Sequence, residues 1–417
     1  MSIGSFVTFA SLGGGTALGG GTGLGGGTGG GTGGGTGGGT GGGTASGLLD
    51  RFALPLYAEA MNRNRGAIID LGQRGALWDL EPQGTGNAQM ARWDPWVRSY
   101  LVLQEALQRV RFDTVAATMS SERKVQLQFL VPQGGSDTWI AGVSIIRPPA
   151  EVFKQQIAKV LDWAELREER SAEILTQIEG QQPFWSSVIP IHSDRLGRTR
   201  ELLDAAVQFA VYVEMRFKHE LACWRPTDYS AQVQPIVTTP GHGALPAGHC
   251  TQSYMIYEVL KALLNTMFDS KASPEEVQAK SVVNRQLGRI AARVSTNRVI
   301  AGVHFPVDNV AGRLLGSALG EFFCYLSSGR TGGVVPPFHV GAFDGVKFGK
   351  HQPTLDFDPF NQPLRDRDGR KKPDFYTFDA ATGDAPPDSV LTELWKQARQ
   401  ECSTFKLIFE PAAAGAQ

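Results

Sequence analysis

Three short islands in the second half of this 417-residue chain limit what it can fold into. They are Lys218 with Arg225-Pro226, then Pro246-Ala247-Gly248-His249, then Arg298 with His304 and Asp308. Together they bring three fixed cations, two imidazoles, a glycine at a helix start and one carboxylate. Arginine presents a planar fork of donors to anionic oxygens, lysine adds a point charge, and a helix N-terminus adds oriented backbone N–H groups. A fold that gathers these groups makes a pocket for a tetrahedral oxyanion. Taken singly they are ordinary, since a lone Arg-Pro or helix lysine is usually surface charge and a lone histidine is usually packed or capping.

The elements around the islands read as helices. Leu202, Ala206, Phe209, Val213 and Phe217 line one face of a helix that delivers Lys218 near its C-terminal end, and Pro226 marks a break just past Arg225. Pro246 is expected to open the next helix, placing Gly248 and His249 in a first turn where N–H groups are free. Ser273-Pro-Glu-Glu276 fits a capping box and starts a helix through Val294, and a last one runs from about Pro306 to Leu326. All three islands then lie at helix ends, which a bundle can bring into one pocket.

The order and spacing resemble the superfamily of vanadium-dependent haloperoxidases and type 2 phosphatidic acid phosphatases, whose signature reads K-x6-R-P, then P-S-G-H, then S-R-x5-H-x3-D. Here the islands read Lys218 to Arg225-Pro226, Pro246-Ala-Gly-His249, and Asn297-Arg298 through His304 to Asp308, matching nine of the eleven fixed positions. The resemblance covers roughly residues 196 to 328. It implies a mainly α fold, a helical bundle of the vanadium haloperoxidase type, here with a small β-hairpin and long ordered loops.

The resemblance also implies roles. Lys218, Arg225, Gly248, Arg298 and His304 hold vanadate or phosphate. His304 bonds the central atom, as the sole protein ligand of vanadium in one branch or the phosphohistidine nucleophile in the other. His249 acts as acid or base at the apical oxygen, and Asp308 fixes the His304 tautomer from behind. His242 stands where bromide-preferring members carry histidine; otherwise it is a polar residue of a glycine-rich loop. The implied activity is oxidation of bromide by hydrogen peroxide to a hypobromous-acid equivalent with vanadate as cofactor, the organic acceptor being unidentified. The alternative is a soluble acid phosphatase. Two positions depart from the signature. Ala247 lacks a hydroxyl that would bond an anion oxygen, a loss of about 1.5–3 kcal/mol, while Asn297 keeps an amide that can still donate and accept.

Composition bounds the rest. A net charge of −1 and 41% hydrophobic residues suit a soluble globular chain with no basic excess for nucleic acid. No apolar run reaches the length of a membrane span. The N-terminus lacks a basic signal region, so the expected location is cytoplasmic, or exported without a standard signal peptide. Cys223, Cys250, Cys324 and Cys402 read as free packed thiols. His192, His219, His339 and His351 have no metal-ligand spacing. A homo-oligomer is the expected assembly.

Along the chain, residues 1–46 are an apolar start and a Gly-Gly-Gly-Thr tether reaching about 30 Å, with Ile3, Phe6, Val7 and Phe9 either docked on a neighbouring subunit or loose. Residues 47–195 form an N-terminal helical half: a helix over Pro95–Val110, a hairpin around Gly134-Gly135, and a long helix from Phe153 reaching Ile178. Residues 196–328 form the motif-bearing bundle, and 329–417 form wrapping loops and a final helix near Ser389–Phe405, with 47–417 one compact unit.

Overall fold

The computed structural model describes residues 55–68, 86–87, 93–114, 123–178, 180–192, 194–266, 272–366 and 369–404. The glycine-threonine tether and the apolar start before it lie outside these. The chain divides into two units, Met1–Trp93 and Asp94–Gln417. Within the first, helix α1 spans Pro55–Ile68. The other described helices and all the described strands belong to the second.

That unit is mainly α, with one five-stranded sheet. Helix α2 (Pro95–Leu107) leads into β1 (Val110–Thr114), β2 (Lys124–Gln133) and β3 (Ser136–Ile146). Helices α3 (Ala150–Ala164), α4 (Arg167–Thr176), α5 (Gln182–Trp185), α6 (Gly197–Leu221), α7 (Pro226–Tyr229), α8 (Gly248–Thr266), α9 (Pro274–Ile300) and α10 (Pro306–Ser328) follow. The chain closes with β4 (Phe338–Asp344), α11 (Gly345–His351), β5 (Tyr376–Ala381) and α12 (Val390–Cys402).

The expected hairpin is present as β2–β3, turned by Gly134 and Gly135, both at positive φ as a two-residue turn of the primed type requires. It is the middle of a larger sheet, ordered β1 to β5, in which β3 pairs parallel with β4 and the other pairs are antiparallel. The region after 329 is therefore more than wrapping loop. Its strands escape the sequence pattern because Gly341 interrupts β4 where a Cβ would meet the Thr377 carbonyl at 2.7 Å and Leu314 at 2.9 Å. Two other boundaries move. The helix expected to reach Val110 ends at Leu107 so that Val110 can pair with Phe129, and the long helix from Phe153 is broken between Ala164 and Arg167.

Helix α10 is the centre. Every residue from Pro306 to Ser328 except Glu321 is buried, so this helix faces protein on all sides. The sheet lies on it through Phe322, which stacks on Phe129 with ring centroids 4.0 Å apart and packs edge-on to Phe338. Against α8 it presents Gly312, Gly316 and Gly320, one per turn. A Cβ at Gly316 would come within 2.2 Å of the Thr251 carbonyl and one at Gly312 within 2.8 Å of that of Ala247. The two backbones approach as closely as glycine allows, and this fixes the start of α8 against the start of α10.

Long-range caps lock the outer helices. Glu401 of α12 accepts from the backbone N–H of Arg198 and Thr199 at the start of α6, at 2.7 and 2.8 Å. Glu105 of α2 accepts from Val390 and Leu391 at the start of α12, at 3.1 and 3.2 Å. Each carboxylate satisfies N–H groups that no helix can satisfy itself and meets the positive end of the dipole.

Candidate anion-binding site

Helix α6 places Lys218 one turn before its end, where Ala222 closes the helix in the left-handed conformation at φ 48°. Its ammonium is 1% exposed and donates to the carbonyls of Gly243, Ala244 and Pro246 at 3.3, 3.3 and 2.5 Å. All three of its protons are thus committed to the loop that carries His242. The Leu245–Pro246 peptide is cis, and α8 begins at Gly248 rather than at Pro246, whose carbonyl is turned to the lysine.

Arg225 caps α7 and is buried beside its exposed neighbour Trp224. Its guanidinium donates to the carbonyls of His242, Val303 and Gly243 at 3.1, 2.7 and 3.3 Å. It also meets His304 Nε2 at 2.9 Å and His242 Nδ1 at 3.1 Å. Arginine only donates, so both ring nitrogens accept, and the two tautomers follow. His304 carries its proton on Nδ1 and donates to Asp308 Oδ2 at 3.0 Å, leaving Nε2 as the basic lone pair. His242 carries its proton on Nε2; its Nδ1, though 3.2 Å from the Gly243 carbonyl, has none to give. That Nε2–H is buried and has no partner among the described residues.

Four residues apart, Asp308 and His304 would share a helix face if both were helical. His304 instead lies ahead of α10, and Asp308 sits in its first turn, where Oδ2 also accepts from Phe305 N at 2.9 Å. One carboxylate oxygen thus caps the helix and orients the imidazole. The Asp308 carbonyl accepts from Ala247 N at 2.9 Å, tying the second island to the third.

Arg298 stands near the end of α9, 2% exposed. It donates from Nη2 to the Ile174 carbonyl at 3.1 Å and to Gln177 Oε1 at 2.9 Å, while its Nε–H is buried without a partner. His249 donates from Nε2 to the Gln177 carbonyl at 3.0 Å. The structure therefore gathers Lys218, Arg225, His242, His304 and Asp308 by direct bonds, and it ties Arg298 to His249 through Gln177. The first three N–H groups of α8, from Gly248 to Cys250, have no carbonyl inside the helix to serve them.

Electrostatics follow from burial. Among the described residues no carboxylate is in salt-bridge reach of the Lys218, Arg225 or Arg298 side chains. Burial pulls Arg298 down to about 9 and Arg225 to about 10, and drives Lys218 downward with help from Arg225. Burial, then Lys218 and Arg225, take His242 to about 3. Burial, then Arg298 for His249 and Arg225 for His304, hold those rings well below the usual imidazole range. Burial likewise raises Asp308 and Glu214. Each group is pressed toward its neutral form by burial, which the attraction between Asp308 and Glu214 and the cations Lys218 and Arg225 offsets only in part.

Residues 203–331 match the family model of the PAP2 superfamily. The motif-bearing helices are thus similar to that superfamily. That superfamily includes both phosphatases and vanadium haloperoxidases. The match spans under a third of the chain, and no curated protein matches it. No helix among the described residues is long and apolar enough to cross a membrane.

Two participants in this site escaped the sequence. Glu214, one turn before Lys218, is fully buried, accepts from Gln252 Nε2 at 3.1 Å and keeps Oε2 unpartnered. Its i, i+4 spacing to Lys218 was a usable signal. Gln177 lies outside the matched residues, at the C-cap just past α4, and nothing in its sequence surroundings marks it.

Proposed function

We propose that the chain is a vanadium-dependent haloperoxidase that oxidises bromide with hydrogen peroxide, vanadate being its cofactor. The observation that carries the anion reading is three buried cations with no carboxylate in salt-bridge reach among the described residues, beside N–H donors on Arg298 and His242 that have no partner there. A tetrahedral oxyanion fits that set, because it supplies both the missing charge and the missing acceptors. Lys218, Arg225, Gly248, Arg298 and His304 are the residues that would hold it.

Bound vanadate would act as a Lewis acid toward peroxide without changing oxidation state. The chain's own contribution is positional. Asp308 keeps the His304 proton on Nδ1, so Nε2 presents a lone pair to the central atom. Lys218 and Arg225, whose protons are spent on the loop and on His304, lend field more than free donors, and the added negative charge would favour the ammonium form of Lys218. Arg298 and the start of α8 offer the free N–H groups. His249, neutral with its proton on Nε2, can accept a proton at Nδ1 and so serve as base. His242 beside Arg225 supports the lean to bromide.

The alternative is a phosphatase using His304 as nucleophile, since a pentacoordinate phosphoryl group asks for the same cradle; there His249, neutral as it stands, would have to take a proton at Nδ1 before acting as acid. Orthovanadate separates the two. Peroxide- and bromide-dependent bromination of a chlorinated dione should require vanadate, whereas a phosphatase would hydrolyse an aryl phosphate and be inhibited by it. His304→Ala should abolish whichever activity is found. Turnover unchanged in that variant would remove the residue from the mechanism.

A further inference from the structure

Gln177 closes α4 and is 1% exposed. Its Oε1 accepts from Arg298 Nη2 at 2.9 Å and from Asn297 Nδ2 at 3.1 Å, and its backbone carbonyl accepts from His249 Nε2 at 3.0 Å. The amide cannot be turned over. A flip would set its NH2 against two donors, and Asn297 is itself fixed by accepting from Arg170 Nη1 at 3.3 Å while donating to Glu173 Oε2 at 3.1 Å. The orientation leaves Gln177 Nε2 buried with no acceptor among the described residues, next to an Arg298 guanidinium whose Nε–H is also unpartnered. Two buried donors with no acceptor among the described residues, on side chains bonded to each other and tied to His249, call for an acceptor, because an unmet buried N–H is costly. The hydroxyl that the signature places before Gly248 is missing at Ala247, so the cradle has one donor fewer from that side.

We propose that the Gln177 side-chain amide donates a hydrogen bond to an oxygen of the bound tetrahedral oxyanion. Gln177 also holds Arg298 and His249 in place. The inference rests on the anion reading above and extends it to a residue outside the matched residues.

The test uses the full chain and two probes, inorganic phosphate and orthovanadate, titrated by calorimetry into wild type, Gln177→Met and Gln177→Glu. Gln177→Met should weaken both anions at least tenfold. Gln177→Glu keeps an acceptor for Arg298 and Asn297, so it should stay folded yet bind no better than Gln177→Met. In glutamine-labelled wild type, the side-chain NH2 signal that Gln177→Glu removes should shift downfield and exchange more slowly when phosphate saturates the site. A role only in supporting Arg298 would leave that signal in place. An unmoved signal, or a Gln177→Met affinity within twofold of wild type, overturns the proposal and leaves the anion site standing, with a buried water as the acceptor instead. If Gln177→Met does not fold, the wild-type signal decides alone. Failure of wild type to bind either anion would overturn the anion reading and this inference together.

Discussion

His242 shows how far a single environment moves a side chain from its solution chemistry. Folded, it holds off a proton until about pH 3, through burial and then Lys218 and Arg225, whereas in an unfolded chain an imidazole titrates near 6.5. Between those values the unfolded state binds a proton that the folded state refuses, so stability falls as pH drops through 6.5 toward 3. Urea midpoints at pH 7 and pH 5 should therefore fall further in wild type than in His242→Phe, which lacks the group. Equal losses would mean that the ring is protonated in the fold. Ala247 carries the opposite kind of consequence. With 0% exposure beside Gly248, it is a place where a hydroxyl should recover a hydrogen bond to the anion. Ala247→Ser should tighten vanadate by about tenfold, roughly 1.4 kcal/mol, and calorimetry would register it. The cationic and imidazole residues of the candidate site could be named from sequence because lysine, arginine and histidine are distinctive at fixed spacing. Gln177 could not, since a glutamine at a helix end looks like any other until Arg298 and His249 are folded onto it.

Among elements, α10 does two jobs at once. Its first turn carries Asp308, and its glycine stripe lets α8 come close enough for the Ala247 N–H to reach the Asp308 carbonyl at 2.9 Å. Gly316→Ala adds a methyl where the Thr251 carbonyl already stands, so the helices must part. A loss of about 1–3 kcal/mol is expected from overpacking, read as a lower denaturant midpoint. Phosphate affinity should fall with it, because the start of α8 moves away from Asp308. A variant as stable as wild type would show that the helix pair can yield. The helical elements were readable wherever apolar residues kept a single period and a cap was spelled out, as at Ser273, whose Oγ accepts from Glu276 N while Glu276 Oε2 accepts from Ser273 N. The extra strands were not. β1 is only five residues long and follows α2 after two residues, and β4 and β5 lie in a stretch rich in glycine and proline. Pairing across almost two hundred residues, as between Ile145 and Phe343, leaves no local trace.

At the scale of the whole unit, the motif-bearing helices do not stand alone. Arg167 of α4 donates to the carbonyls of Ile300, Gln234 and Val233 at 2.8, 2.9 and 2.8 Å, clamping the end of α9 that presents Arg298. Arg293 of α9 pairs with Glu173 of α4, and Glu173 in turn accepts from Asn297. The segment upstream of the PAP2 match thus builds one side of the site. Removing it should cost more than a domain boundary placed at residue 203 would suggest. Sequence could locate the motif half but not this dependence, because the clamp is made of arginines and backbone carbonyls, which carry no recognisable spacing.

The bond from Arg225 to the free nitrogen of His304 has a kinetic meaning. Whatever attaches to that ring must first evict the guanidinium, so loading the site is a substitution and not the filling of a void. Its speed at high anion concentration would be set by how often that one contact opens.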